Sequence, residues 1–129
     1  MMAQVTSAAL VAELRVLASP ASTGSIPTSG NQEDFVSMGM TSALKLEQAV
    51  TLARMVLAIE LLTATRALDL RGDTSTTPLE EVRARFRVRI PAWREDCVLS
   101  VWMEGASSFL AEGALGKNMK SAELEEVLR

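Results

Sequence analysis

The sequence predicts an all-α fold, a long-helix bundle organised around one central helix. Apolar residues recur three and four positions apart along most of the chain, which is the spacing of a helix face. No proline occurs between Pro27 and Pro78, so nothing in that stretch removes a backbone N–H group that a helix needs. The 129 residues, 48% apolar and 22% charged, suit one soluble domain. We therefore treat residues 1–129 as a single helical segment with four parts.

The first part, residues 1–19, is predicted to form a helix from about Val5 to Leu17. Its apolar side chains share one face at helical spacing, namely Leu10, Val11, Leu14 and Leu17. The second part, residues 20–30, is a predicted loop, because its two prolines and two glycines interrupt regular structure.

The third part, residues 31–71, is the predicted long helix. Asn31 is a good N-cap, and acids in the following turn suit the helix dipole, so the first turn would contain Gln32, Glu33 and Asp34. Gly72 would end the helix, which at roughly 38 residues would be about 57 Å long. Its centre, MVLAIELL, is apolar almost all round. We expect helices from other chains, or from another part of the same protein, to cover it.

The fourth part, residues 72–129, is predicted to hold the C-terminal helices. Thr77 and Glu80 have the spacing of a capping box that starts a third helix, with Pro78 at its first position. The strict alternation of RARFRVRI, residues 83–90, leaves a strand as the alternative there.

The arginines of the same run are predicted to form a solvated or interface face rather than a phosphate site. Glu81 and Arg85 have the spacing of a favourable helix pair. A fourth helix is expected from about Glu95 to Glu112, and Ser121 is a candidate cap for a short final helix.

The composition argues against several classes of function. The chain has no His, which excludes Ser-His-Asp and Cys-His catalytic arrangements. A net charge of −3 gives no case for binding nucleic acid. The single Cys97 cannot form an intramolecular disulfide, and the N-terminus lacks the basic start of an export signal, so a cytoplasmic location is expected. The most apolar window, residues 50–62, is shorter than a spanning helix and predicts buried core, not a membrane protein.

The run from Ser25 to Gly39, SIPTSGNQEDFVSMG, concentrates polar groups at the entrance to the long helix. Such groups cost stability unless they are paired or used. By capping alone, Glu33 and Asp34 would serve the helix N-terminus. As neighbours on a helix they would point about 100° apart, so they are not a facing pair of catalytic carboxylates.

This run and its surroundings resemble a known family. The blocks ELRVLASPASTGSIPTSGNQEDFVSMG and ARMVLAIELLTATRALDLRG resemble the C-terminal region of the aromatic amino acid ammonia-lyases, with the histidine ammonia-lyases as the nearest branch. The resemblance is dense from about Glu13 to Gly72 and weaker after that. It implies an ammonia-lyase-like helical fold and a homotetramer in which several subunits assemble each active site.

The resemblance also implies a reaction, the non-oxidative elimination of ammonia from an aromatic amino acid such as histidine. The family's methylidene-imidazolone cofactor forms from an Ala-Ser-Gly triplet, and this sequence contains neither that triplet nor any Tyr. No cofactor is therefore expected in this chain. The cofactor would come from a complementary N-terminal lyase part, and the isolated chain would be inactive.

The site residues implied by the resemblance lie together in NQED. Glu33 is the catalytic and substrate-binding candidate, since it matches the Glu that reaches the substrate imidazole in histidine lyases. Gln32 and Asn31 are further substrate-binding candidates. Gln32 matches an amide near cofactor and substrate, and Asn31 is also expected to hold the loop. Phe35 departs from the pattern, because histidine lyases usually carry His there.

An alternative belongs to another functional class. A chain derived from a lyase could act as a non-catalytic helical module for oligomerisation or regulation. Such a module would bind no aromatic amino acid, and its self-association would not depend on Glu33. Both hypotheses predict a homo-oligomer, because the long apolar helix needs cover.

Overall fold

The computed structural model describes residues 1–115, and within them the chain forms four α-helices and no strand. The helices are α1 (Met2–Leu17), α2 (Gly39–Arg71), α3 (Thr77–Arg89) and α4 (Leu99–Ala111). The longest, α2, packs against both α1 and α4. This confirms the predicted all-α class and the bundle around one long helix.

α1 presents a half-buried stripe to α2. Its members are spaced three and four apart: Ala3, Thr6, Ser7, Leu10, Val11, Leu14 and Leu17. The predicted apolar face lies within this stripe. The helix ends at Leu17 as expected but begins at Met2, three residues before Val5.

α2 begins at Gly39, so the predicted start at Asn31 or Gln32 is wrong. The reason lies in contacts with the preceding loop. The Ser25 hydroxyl accepts the N–H of Val36 at 2.8 Å, and the Ser22 hydroxyl donates to the carbonyl of Ser37 at 3.0 Å. These bonds hold residues 36–37 against the loop, so the acidic run stays outside the helix.

α2 is long and only partly covered. Its 33 residues span about 50 Å at 1.5 Å per residue, and by length and composition it is a helix that could cross a membrane. The core helices of soluble proteins share those properties. Only four of its residues are buried: Ala58, Ile59, Leu62 and Thr65. Leu46, Val50 and Leu57 are 64%, 48% and 56% exposed, so residues 1–115 leave part of the apolar surface of α2 uncovered.

The core lies between the C-terminal half of α2 and helices α3 and α4. Phe86 is fully buried and meets Phe109 edge-on, with the ring centroids 5.3 Å apart. Around them lie the other buried apolar residues: Ala58, Ile59, Leu62, Val82, Ile90, Met103 and Ala106. Burial of this apolar surface is the main term that holds the helices together.

Residues 83–89 are helical, because α3 continues to Arg89. This confirms the predicted helix rather than the strand alternative. Its cap differs from the predicted box. Thr76, not Thr77, is the N-cap, and the Glu80 carboxylate accepts the backbone N–H of Ser75 at 2.8 Å. Pro78 therefore lies in the second helical position rather than the first.

The arginines of α3 are largely committed to ion pairs, which corrects the predicted solvated or interface face. Arg83 and Arg87 both contact the Asp69 carboxylate, at 2.6 and 2.5 Å, with side chains only 20% and 15% exposed. The bond to Asp69 raises the pKa of Arg83, while burial lowers the pKa of Arg87. Arg85 Nε donates to the backbone carbonyl of Glu81 at 3.4 Å, not to its carboxylate.

α4 begins at Leu99, four residues after the predicted start at Glu95. The intervening loop carries Trp93, whose ring stacks on Trp102 of α4 with the centroids 6.5 Å apart. The helix ends at Ala111, one residue before the predicted end at Glu112. The short final helix predicted after Ser121 lies outside the described residues.

Gly72 ends α2 in a left-handed conformation, with φ +72°, and its N–H donates to the carbonyl of Leu68. We expect Gly72→Ala to lower the free energy of unfolding by about 1 kcal/mol, because the left-handed region is strained for a residue with a Cβ. No atom lies within 4 Å of the added Cβ, so the conformation alone is tested. Urea unfolding of the chain measures the change.

Gly24→Ala is the matched control. An added Cβ at Gly24 would also meet open space, but Gly24 has no left-handed φ. Its replacement is expected to change stability by less than about 0.5 kcal/mol. Equal losses at the two glycines would contradict the assignment of the Gly72 effect to backbone conformation.

Candidate functional site

The loop between α1 and α2 is held by side-chain hydroxyls. The Thr23 hydroxyl donates to the carbonyl of Pro20 at 2.8 Å, within a short 3₁₀ turn at Ala21–Gly24. Lys45 of α2 donates its ammonium group to the Ser19 carbonyl and, at 3.0 Å, to the Ser19 hydroxyl. With the Ser22 and Ser25 bonds described above, these contacts fasten the loop to itself and to α2.

A tight turn within this loop joins Thr28 to Glu33. The two residues exchange backbone hydrogen bonds, Thr28 N–H to Glu33 O at 3.0 Å and Glu33 N–H to Thr28 O at 3.3 Å. The Thr28 hydroxyl also donates to Glu33 Oε2 at 3.1 Å. Inside the turn, Gln32 N–H donates to the carbonyl of Ser29 at 3.4 Å.

The turn is built from three consecutive left-handed residues. Ser29, Gly30 and Asn31 have φ values of +52°, +64° and +68°. Gly30 adopts such a value freely and Asn tolerates it, but Ser29 is strained there. Strained backbone that the surrounding contacts maintain is a frequent property of functional sites. The turn is therefore a candidate site on geometric grounds as well.

The structure brings the three predicted site residues together on this turn. Asn31, Gln32 and Glu33 are all exposed. Their predicted place in the cap and first turn of α2 is wrong, because that helix begins only at Gly39, beyond the turn. Asn31 provides a left-handed backbone position, and its part in holding the loop remains a prediction.

The Glu33 carboxylate has one oxygen in use. Oε2 accepts the Thr28 hydroxyl, and within residues 1–115 no hydrogen bond or ion pair reaches Oε1. An exposed carboxylate with a free oxygen can accept N–H groups from a cation or an imidazole. The chain therefore offers an acceptor site that nothing in its described part fills.

An open apolar groove of about 640 Å³ lies between α2 and α4, away from the turn, with Val50, Leu57, Leu61 and Leu110 among its lining residues. Among residues 1–115, no three His, Cys, Asp or Glu side chains lie close enough together to hold a metal ion. Glu33 is exposed and is not among the residues that line this groove.

Sequence reasoning did not single out Thr28 as a partner of Glu33. The only signal was the density of hydroxyl residues in the loop, which does not say which acceptor each hydroxyl meets. Thr28-Ser29-Gly30, which differs from Ala-Ser-Gly at one position, is engaged in this turn through the carbonyls of Thr28 and Ser29. It forms the support of Glu33.

Comparison with known proteins gives the family. The model of the aromatic amino acid lyase family matches residues 1–88. The histidine ammonia-lyase of Anaeromyxobacter sp. (strain K) is 53% identical over 116 residues, which are 89% of this chain and 23% of that protein. The histidine ammonia-lyase of Myxococcus xanthus (strain DK1622) is 46% identical over 127 residues, 95% of this chain and 24% of the relative.

A solved structure shows the same fold. The crystal structure of histidine ammonia-lyase from Trypanosoma cruzi superposes with a TM-score of 0.84 at 42% identity, covering 91% of this chain and 23% of that one. The chain thus spans about a quarter of the length of the relatives it matches. The dense match and the shared helical fold show that this chain belongs to the aromatic amino acid lyase family.

Proposed function

We propose that the chain is the C-terminal part of a histidine-ammonia-lyase-like enzyme and supplies Glu33 and Gln32 to a composite active site. The observation that carries the proposal is the turn at Thr28–Glu33, which displays both side chains on the surface. The sequence contains neither the Ala-Ser-Gly triplet nor a Tyr that would complete such a site. The match to histidine ammonia-lyases at 53% identity supports the same conclusion.

The reaction breaks the bond between Cα and the amino nitrogen, removes a β proton and leaves an arylacrylate and ammonia. The electrophile expected for this step is methylidene-imidazolone, supplied by a complementary N-terminal lyase part. In our proposal Glu33 uses its free carboxylate oxygen to hold an N–H group of the substrate, such as that of an imidazole. Gln32, its neighbour on the turn, offers an amide that can donate and accept in the same site.

The exposed face of α2 supports the proposed partners. Leu46, Val50 and Leu57 are exposed on α2, and Val50 and Leu57 line the apolar groove. An exposed apolar surface of this kind is typical of a contact with another protein. We propose that further copies of the enzyme, or its N-terminal part, cover this face. The assembled protein is proposed to be a soluble, cytoplasmic homotetramer that acts in histidine breakdown.

The test joins this chain to the part it lacks. In a chimera, residues 1–129 replace the matching C-terminal segment of the Anaeromyxobacter lyase. We expect the chimera to deaminate histidine, which is followed by the near-ultraviolet absorbance of the product. We expect this chain alone to show no activity. Phenylalanine and tyrosine are tried in parallel, because Phe35 departs from the histidine lyase pattern.

The parent lyase is the control for assembly and for assay conditions. Size-exclusion chromatography compares the oligomeric state of the chimera with that of the parent. A chimera that assembles like the parent yet acts on none of the three amino acids would contradict the proposed enzyme function. That result would favour the non-catalytic oligomerisation module.

A further inference from the structure

We propose that Thr28 is a positioning residue for Glu33, holding one oxygen of its carboxylate so that the other faces the substrate. This inference rests on the proposed function of Glu33 and deepens it. Thr28 itself would touch neither the substrate nor the cofactor. Its effect on the reaction would pass through Glu33.

The first support is the doubled contact between the two residues. The paired backbone bonds at 3.0 and 3.3 Å fix the position of the Glu33 Cα relative to Thr28. The hydroxyl bond at 3.1 Å then limits the rotation of the carboxylate. An exposed glutamate otherwise samples many rotamers and loses that freedom only on binding. Fixing it beforehand lowers the entropy cost of recognition.

The second support is that the two oxygens of the Glu33 carboxylate have different roles. Because the Thr28 hydroxyl donates to Oε2, its single proton is used there and Oε1 keeps its lone pairs for a ligand. Thr is also stiff at χ1, since two heavy atoms on its Cβ restrict the rotamer. The donor is therefore held more firmly than a serine hydroxyl would be.

The third support is the strained turn that separates the pair. Ser29 to Asn31 are left-handed throughout, which brings Thr28 and Glu33 side by side over only five positions. Such a conformation persists because the bonds across the turn maintain it. A purely structural loop between two helices does not require a carboxylate at the closing position, since the two backbone bonds already close it.

The experiment uses the active chimera with four variants: Thr28→Val, Thr28→Ser, Glu33→Ala and Thr28→Val/Glu33→Ala. Val keeps the branched shape and the backbone bonds but removes the hydroxyl. We expect Thr28→Val to lower kcat/KM about 10-fold, the scale of one hydrogen bond to a charged group. The loss should fall in the same parameter, kcat or KM, that Glu33→Ala changes. Thr28→Ser should stay within about 3-fold of the parent chimera.

Non-additivity is the decisive readout. Once Glu33 is Ala, the hydroxyl has no carboxylate to hold, and Thr28→Val should add no further loss. Where activity on that background is too low to measure, the same cycle is read in the Kd of the arylacrylate product by titration calorimetry. Thr23→Val is the matched control, because its hydroxyl lies in the same loop but donates to Pro20. Its kcat/KM should be unchanged.

The inference would be overturned if Thr28→Val and Thr28→Ser lowered kcat/KM equally. It would also be overturned if Thr28→Val lowered kcat/KM by the same factor in the Glu33→Ala background as in the unmodified chimera. Either result would mean that Thr28 serves the turn alone. Failure of the proposed function looks different. In that case Glu33→Ala leaves kcat/KM equal to that of the unmodified chimera, independently of the results for the Thr28 variants.

Discussion

Glu33→Gln is expected to reduce kcat/KM of the active chimera for histidine by about 100-fold or more, the scale for loss of a group that acts directly on the substrate. Gln keeps the length of the side chain and can still accept the Thr28 hydroxyl. It removes the negative charge, so a cationic or imidazole N–H loses its charge-assisted bond. Steady-state kinetics on histidine measures the change.

Glu13→Gln provides the matched control for Glu33→Gln. It makes the same chemical change at an exposed position of α1, outside the turn at Thr28–Glu33. We expect its kcat/KM to equal that of the unmodified chimera. Indistinguishable kinetics for the two variants would show that Glu33 has no part in the reaction. Thermal melts of both proteins separate a loss of chemistry from a loss of folding.

Phe86→Ala is expected to lower the free energy of unfolding of the chain by about 3–5 kcal/mol, as for other buried aromatics replaced by alanine. Phe86 has no exposed surface, and its ring meets Phe109 edge-on. Its loss removes apolar burial and leaves a cavity where α3 meets α4. Urea unfolding followed by circular dichroism gives the difference. Phe86→Leu, which keeps more of the volume, should cost less and remain measurable.

Phe35→Ala is the matched control for Phe86→Ala, because it removes an aromatic ring that lies outside the core. Phe35 is 65% exposed and lies in the loop before α2. Its replacement should change the free energy of unfolding by less than about 0.5 kcal/mol. A loss at position 35 as large as that at position 86 would contradict the location of the core.

Helix ends that depend on local signals were predicted well. Gly72 ends α2 because a glycine takes the left-handed conformation that the last turn requires, and this property belongs to the residue itself. Leu17 ends α1 where the apolar period stops before Pro20. In these cases neighbours in sequence contain the whole physical cause.

The start of α2 was predicted wrongly because its cause is not local. Asn31 and the acids after it have the pattern of a helix N-terminus, but Ser22 and Ser25 bind the backbone 15 and 11 residues further on. A capping pattern states only what is favourable nearby. It does not indicate which hydroxyl groups, distant in sequence, will form hydrogen bonds with the backbone after the predicted helix start.

The charged residues of α3 show the same limit. The run from Arg83 to Arg89 has the composition of a solvated face, yet Arg83 and Arg87 share Asp69 of α2. Arg89 pairs with Glu112 at the end of α4 at 2.6 Å. The partners lie 14, 18 and 23 positions away in sequence, so only the packing of the helices determines them.

By itself, the sequence determined the helical class, the family resemblance and the identity of Asn31, Gln32 and Glu33 as site candidates. These depend on residue types and on periodic or motif spacing, which a chain carries without folding. The tertiary structure alone decided that Glu33 stands on a strained turn outside α2, with Thr28 on one carboxylate oxygen. The direction of a side chain follows from backbone dihedrals and from hydrogen-bond partners, and both are settled only when the loop packs against the helices.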